Sequence, residues 1–302
     1  MATDAFALIL AMLGLGLLLQ QLRVMPADSA KVLNLVVLYV CLPATVLRVA
    51  PRLTLEPALF AIAAVPWVLL GATVLLVTLI AGAFRWRNST RAVLLLTVAL
   101  GNTSFLGYPL TVALIGESAL PYAVIYDQFG AFLILSTFGL YVLALYGGDA
   151  RPTLHEVLHR LVTFPPLWAL VIGFTIMPAE PPAWIASGLE RLADALLPLA
   201  MLAIGLAIQL APPREDLAPL ATGLVLKLAV MPALALLLVP LFGLTGAMAQ
   251  VTVLESAMPS MVTAGALAIS HGLAPRLAAA MVGYGVVLSL ATLPLWARVA
   301  GG

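Results

Sequence analysis

Apolar residues fill this chain in long runs separated by brief polar intervals. The runs show neither the period-2 alternation of half-buried strands nor the one-sided stripe of soluble helices. A membrane-spanning helix needs roughly 17–25 predominantly apolar residues. Runs of that kind predict spans at 5–22, 32–50, 57–83, 91–116, 119–146, 165–178, 186–210, 216–241, 247–270 and 275–298. The sixth is short, bounded by Pro165-Pro166 and Pro178. The longest interval, 147–164, carries Asp149, Arg151, His155, Glu156, His159 and Arg160, too little chain for a separate soluble domain. The pattern predicts an all-α polytopic membrane protein with ten transmembrane helices: a first unit over 1–146, a cytoplasmic connecting loop over 147–164, and a second unit over 165–302.

The two units match in order. Leu42-Pro43 corresponds to Leu197-Pro198, Pro109 to Pro259, and Leu135-Ser136 to Leu288-Ser289, at offsets of 155, 150 and 153. Five spans per unit is an odd number, so the second copy sits upside down relative to the first, the inverted-repeat plan of alternating-access transporters. Within the matched pattern the fourth and ninth spans are each interrupted, at Gly101-Asn102-Thr103-Ser104-Phe105-Leu106-Gly107-Tyr108-Pro109 and at Glu255-Ser256-Ala257-Met258-Pro259-Ser260. Proline removes a backbone donor and frees a carbonyl that lipid cannot satisfy, so such a break must face protein or a watery cavity. A matched pair of breaks is the sequence mark of a transporter's binding site. Asn102, Thr103, Ser104, Pro109, Pro259 and Ser260 are therefore the expected substrate-binding residues.

Three ionisable residues fall inside spans: Asp127, Lys227 and Glu255. Each costs at least ~2.5–3.5 kcal/mol at a helix centre on insertion scales, which makes each a functional candidate. For Asp127 and Lys227 a buried ion pair is the structural alternative to a functional role, since opposite charges at depth attract. Glu255 and Ser256 lie beside the second break, where carboxylate, hydroxyl and freed carbonyl oxygens suit a hard cation such as Na⁺ as well as a proton relay. Asp127, Lys227, Glu255 and Ser256 form the expected ion-coupling set, with Glu255 the candidate Na⁺ ligand.

Composition sharpens the picture. The chain is 63% hydrophobic and 9% charged with a formal charge of +1, which gives nucleic acid nothing to bind. Cys41 stands alone, so no internal disulfide forms. The first apolar run follows Asp4 without a basic region before it and reads as a span, not a cleaved signal. His155 and His159 share a helical face but lack further ligands and read as solvated loop. An intramembrane hydrolase would need a nucleophile with its base or a metal cluster; no HExxH occurs, and the chain is not expected to be an enzyme.

At this point the chain resembles a known family. Asn102-Thr103 followed by Gly107 and Pro109 look like the fourth-helix crossover of the auxin efflux carrier family, and Glu255 through Pro259 with Pro294-Leu295-Trp296 look like its bacterial members. The resemblance covers the whole chain. It implies movement of an organic anion by an elevator-like mechanism, with two proline-broken helices crossing at the site, Asn102 contacting the substrate carboxylate, and Pro109 and Pro259 marking the crossing. Plant members carry a long hydrophilic central loop, which the short 147–164 segment lacks. Glu255 at the second crossing is more similar to the sodium/bile-acid symporters related in fold.

The expectation is a secondary active transporter of a small carboxylate, coupled to Na⁺ or H⁺ and needing no other cofactor; a cation/proton antiporter on the same architecture is the alternative. Its expected partners are the substrate anion and the lipid bilayer, with a homodimer left open. Nine basic residues (Arg23, Lys31, Arg85, Arg87, Arg91, Arg151, Arg160, Arg214 and Arg276) fall on one side, against Arg48, Arg52, Arg191 and Arg298 on the other. The richer side is cytoplasmic, which places the chain in the inner membrane with both termini outside. In a variant lacking Cys41, a cysteine at Gly147 should resist an impermeant thiol reagent on intact cells and one at Gly243 should react. The reverse labelling would invert the topology.

Overall fold

The computed structural model describes residues 2–26, 28–53, 56–148, 153–208 and 214–301. Asp149 and Arg151, and the side chains of Asp4, Arg160 and Arg214, lie outside the described residues. The described chain is helical, without strands apart from one isolated bridge. In order the helices are α1 (Ala2–Gln21), α2 (Ser29–Arg52), α3 (Pro57–Ala83), α4 (Asn88–Ala99), α5 (Thr103–Leu114), α6 (Glu117–Gly147) and α7 (Leu154–Val162). There follow α8 (Pro165–Thr175), α9 (Ala183–Asp194), α10 (Leu196–Ala207), α11 (Leu217–Leu241), α12 (Gly246–Ser256), α13 (Val262–Ser270) and α14 (Pro275–Gly301). Five of these, α2, α3, α6, α11 and α14, are long and apolar enough to cross a membrane unaided. The expected fourth and ninth spans are each split in two (α4/α5 and α12/α13), and the expected seventh is divided between α9 and α10.

Proline explains much of the local geometry. Pro57 and Pro165-Pro166 open α3 and α8, where the missing N–H has no intrahelical partner to lose. Inside helices, Pro43, Pro109 and Pro232 each follow a wider π turn by two residues, at Val37–Cys41, Thr103–Gly107 and Leu226–Val230. A proline ring clashes with the carbonyl four residues back, and loosening the preceding turn relieves that clash. Carbonyls at such turns need new donors, because lipid offers none. The Trp296 indole donates to the Leu228 carbonyl at 2.8 Å, and Trp67 donates to the Phe129 carbonyl at 2.9 Å.

The helices pack as two bodies. α1, α2, α8, α9 and α10 form one, where α1 crosses α10 so closely that a Cβ on Gly16 would stand 2.8 Å from the Gly205 Cα. α3, α4, α6 and α11 to α14 form the other, with its own apolar core around Leu94, Leu96, Leu277 and Met281. α5 lies between them, packed against α1 and α10 on one side and α6 and α12 on the other. Within the connecting segment, Leu154–Val162 is helical in place of the expected solvated loop. A reciprocal capping box between Thr153 and Glu156 starts α7, and the Thr153 N–H holds the Glu156 carboxyl below the usual range. His155 and His159 stack along its exposed face.

Candidate functional site

The two interrupted helices meet backbone to backbone. Leu100 leaves α4 in an extended conformation (φ −103°, ψ 112°), as does Met261 before α13 (φ −62°, ψ 126°). Gly101 and Ser260 form an antiparallel bridge: the Asn102 N–H donates to the Pro259 carbonyl at 2.7 Å and the Met261 N–H to the Leu100 carbonyl at 2.9 Å. Each break thus satisfies the other's backbone, which is how unwound chain survives at depth. The crossing differs from expectation in one respect. Pro109 is not at the opening but eight residues on, inside α5, and Pro259 faces Asn102. The clash that proline creates is absorbed by the π turn before it, so the helix runs through Pro109 and opens at Gly101, where no side chain obstructs close approach.

Around this crossing the structure gathers every expected ionisable residue. Asp127 begins a π turn on α6 and is 2% exposed. Its carboxylate accepts from the Thr103 hydroxyl, from the Tyr108 hydroxyl at 2.9 Å and from the Gln128 amide at 2.9 Å. Glu255, in the last turn of α12, is fully buried and accepts from Thr111 at 3.0 Å through Oε1, while Oε2 has no hydrogen-bond partner among the described residues. Lys227 lies in the π turn of α11, where a Cβ added to Gly101 would come within 3.1 Å of its Nζ. The alternative reading of Asp127 and Lys227 as an ion pair is not met: among the described residues Lys227 has no ion-pair partner within 4.0 Å, and the charge nearest it in effect is Glu255. Thr103 and the hydrogen-bonding partners on α5 and α6 occupy Asp127 instead. Ser256 donates to the Thr252 carbonyl at 2.7 Å and meets the Tyr126 hydroxyl at 3.0 Å, which ties it into the wall.

Two spaces adjoin the cluster. Gly101, Thr103, Tyr126, Lys227, Glu255 and Ser256 enclose one of about 10 Å³, no larger than a single water. A second, about 210 Å³, is lined by Asn102, Ser104, Asp127, Thr263 and Phe164. Asn102 is 2% exposed, and among the described residues its Nδ2 has no hydrogen-bond partner. A buried, unsatisfied amide beside a cavity is a donor held ready for an acceptor, since leaving it unmade costs ~1–3 kcal/mol. The Ser260 hydroxyl is likewise buried and unpartnered. Pro109 lines a third cavity, of about 730 Å³, at the other end of α5 with Tyr108, Arg48 and Glu117.

Tyr108 and Thr111 were not singled out from the sequence, although a signal was present. Thr103, Gly107 and Thr111 recur every four residues and form one face of α5, the face that meets the two carboxylates. Gly107 is the least replaceable of the three, because the Glu255 carboxylate occupies the place of a side chain there, with Oε1 2.7 Å from the Cβ position. Gly107→Ala should therefore destabilise the protein by about 1–3 kcal/mol through overpacking. In a Glu255→Ala background the same change should cost little, which a double-mutant cycle on denaturation midpoints measures. Equal losses in both backgrounds would show that the contact does not limit this position.

Comparison with known proteins agrees in length and kind. The model of the membrane transport protein family matches residues 1–297. An uncharacterized transporter of Methanothermobacter thermautotrophicus is 30% identical over 305 residues, covering 99% of this chain and 98% of the relative. An uncharacterized transporter of Methanocaldococcus jannaschii is 26% identical over 305 residues, covering 97% of each. The chain belongs to the membrane transport protein family, the auxin efflux carrier type of membrane transporter.

Proposed function

We propose that the protein is a secondary active transporter that carries a small organic anion by elevator-like alternating access. The observation that carries this reading is the unpartnered Asn102 amide beside a cavity at the crossing of two broken helices. A neutral donor can hold a carboxylate without a fixed charge that would trap it. α5 supports alternation, since cavities adjoin its two ends: Asn102 and Ser104 line one, Tyr108 and Pro109 the other. The two packed bodies supply a frame and a carrier that could slide past each other along α5. An antiparallel pairing of the breaks is what a two-fold axis in the membrane plane would generate, which favours ten spans arranged as inverted repeats.

The charges favour coupling to a proton. With Asp127, Glu255 and Lys227 ionised the formal sum is −1, and an incoming anion worsens that balance. A co-transported cation would repair it. Na⁺ at Glu255 would share its space with the Lys227 ammonium, which already supplies positive charge to that carboxylate. Asp127 lines the cavity with Asn102 and is the better-placed proton carrier. The cation/proton antiporter reading would also use Asp127, but it leaves the Asn102 donor without a purpose.

Uptake of labelled malate, malonate or indole acetate into proteoliposomes tests both parts. One of these anions should accumulate in response to a proton gradient and not a sodium gradient. Asp127→Asn should abolish the gradient's effect while anion exchange persists. Sodium-driven uptake would overturn the proton assignment, and proton-coupled cation flux without anion movement would establish the antiporter instead.

A further inference from the structure

At the end of α5 remote from the crossing, three cavities meet around one guanidinium. Arg48, near the end of α2, lines the cavity of about 730 Å³ with Tyr108, another of about 430 Å³ with Arg52 and Tyr122, and a third of about 150 Å³ with Pro51. Its side chain is 21% exposed, and among the described residues its ion-pair partner is Glu117, whose own side chain is 73% exposed. That pair joins one Nη2 to one Oε1 at 3.6 Å, well beyond the ~2.7–2.9 Å of a strong charge-assisted hydrogen bond. Arginine carries five donors in a planar fork that fits a carboxylate two-pronged, so a single long contact leaves most of its capacity unused.

We propose that Arg48 is a recruiting site for the carboxylate of the transported anion at this mouth, and that Glu117 is a tethered placeholder which the incoming carboxylate displaces. This inference rests on the anion-transport reading above. Glu117 is already mostly in water, so releasing it demands little new desolvation, and exposed single-pronged pairs contribute little to stability. The same cavity is lined by apolar Val112, Leu120 and Leu197 and by Tyr108, whose hydroxyl donates to Asp127. A carboxylate held by Arg48 therefore shares a cavity with Tyr108, which belongs to the crossing's own hydrogen-bond network. Asp194, Glu56 and Glu190 also line these cavities. Their negative charge weighs against tight retention, which suits a cargo in transit.

Arg48 and Glu117 belong to different bodies of the fold, so the pair could instead be a simple latch, and the sign of two substitutions separates these roles. Thermal shift of the purified full chain, titrated with malate, malonate and indole acetate, identifies the anion that stabilises the wild type. For that anion, Glu117→Gln should lower the half-saturating concentration about two- to fivefold by removing the internal competitor. Arg48→Gln should raise it about ten- to a hundredfold. Should Arg48→Gln fail to fold, Arg48→Lys keeps the charge without the fork and should still weaken binding measurably. Changes in the same direction, or an affinity indifferent to Arg48, would overturn the proposal while leaving the transport reading intact. A wild type that responds to none of the three anions, together with no anion uptake in vesicles, would remove both.

Discussion

Two backbone hydrogen bonds across the break, from Asn102 to Pro259 and from Met261 to Leu100, are the constraint on which the rest of the site depends. Unwound chain at membrane depth is tolerable only if its polar groups find partners in protein. Here each half of the molecule supplies the partners for the other, and the price is that both breaks must stay in register. Once they do, the side chains flanking them have little freedom. Asn102 is left with an unmade donor beside a cavity, Thr103 reaches Asp127, and Glu255 fills the gap left by Gly107. The small residues Gly101 and Gly107 are what permit this, because any side chain at either would meet Lys227 or Glu255.

The buried charges follow the same logic. A carboxylate deep in an apolar bundle survives by collecting donors, and Asp127 collects three from α5 and α6. Glu255 collects one hydroxyl and the nearby Lys227 charge, and keeps an unpartnered oxygen. The two acids are therefore unequal. Asp127 is held by neutral donors and borders the larger cavity, whereas Glu255 is enclosed with the lysine in a space of about 10 Å³. That asymmetry divides coupling from scaffolding in the proposed mechanism. Thr103, Asp127 and Lys227 all sit on π turns, and a widened turn shifts a side chain's direction within an otherwise regular helix.

Much of this was legible in the sequence, because lipid imposes length and apolarity directly. Pro57–Ala83 was read to the residue, and the other expected spans coincide with helices or pairs of half-helices. The candidate residues Asn102, Thr103, Asp127, Lys227 and Glu255 do converge. The errors came from reading residue types without their three-dimensional partners. Pro109 looked like a break, since proline ordinarily interrupts a helix, yet the π turn over Thr103–Gly107 absorbs it. Asp127 and Lys227 looked like a pair because opposite charges at depth attract, but Thr103, Tyr108 and Gln128 reach Asp127 first. The i,i+4 face of Thr103, Gly107 and Thr111 was present in the sequence, and it gained meaning only when the facing helix carried two carboxylates.

The claim that Asn102 is a substrate donor, and not a piece of helix packing, is tested most directly by titrating the purified wild type and Asn102→Ala with the transported anion while recording the unliganded melting temperature of each. Deleting a donor that has no partner in the empty protein should leave the melting temperature unchanged or raise it, because an unsatisfied buried group is removed. Anion affinity should fall about ten- to a hundredfold, the expected loss for a hydrogen bond to a charged group. Unchanged affinity with a clear drop in melting temperature would contradict the account and make Asn102 part of the packing.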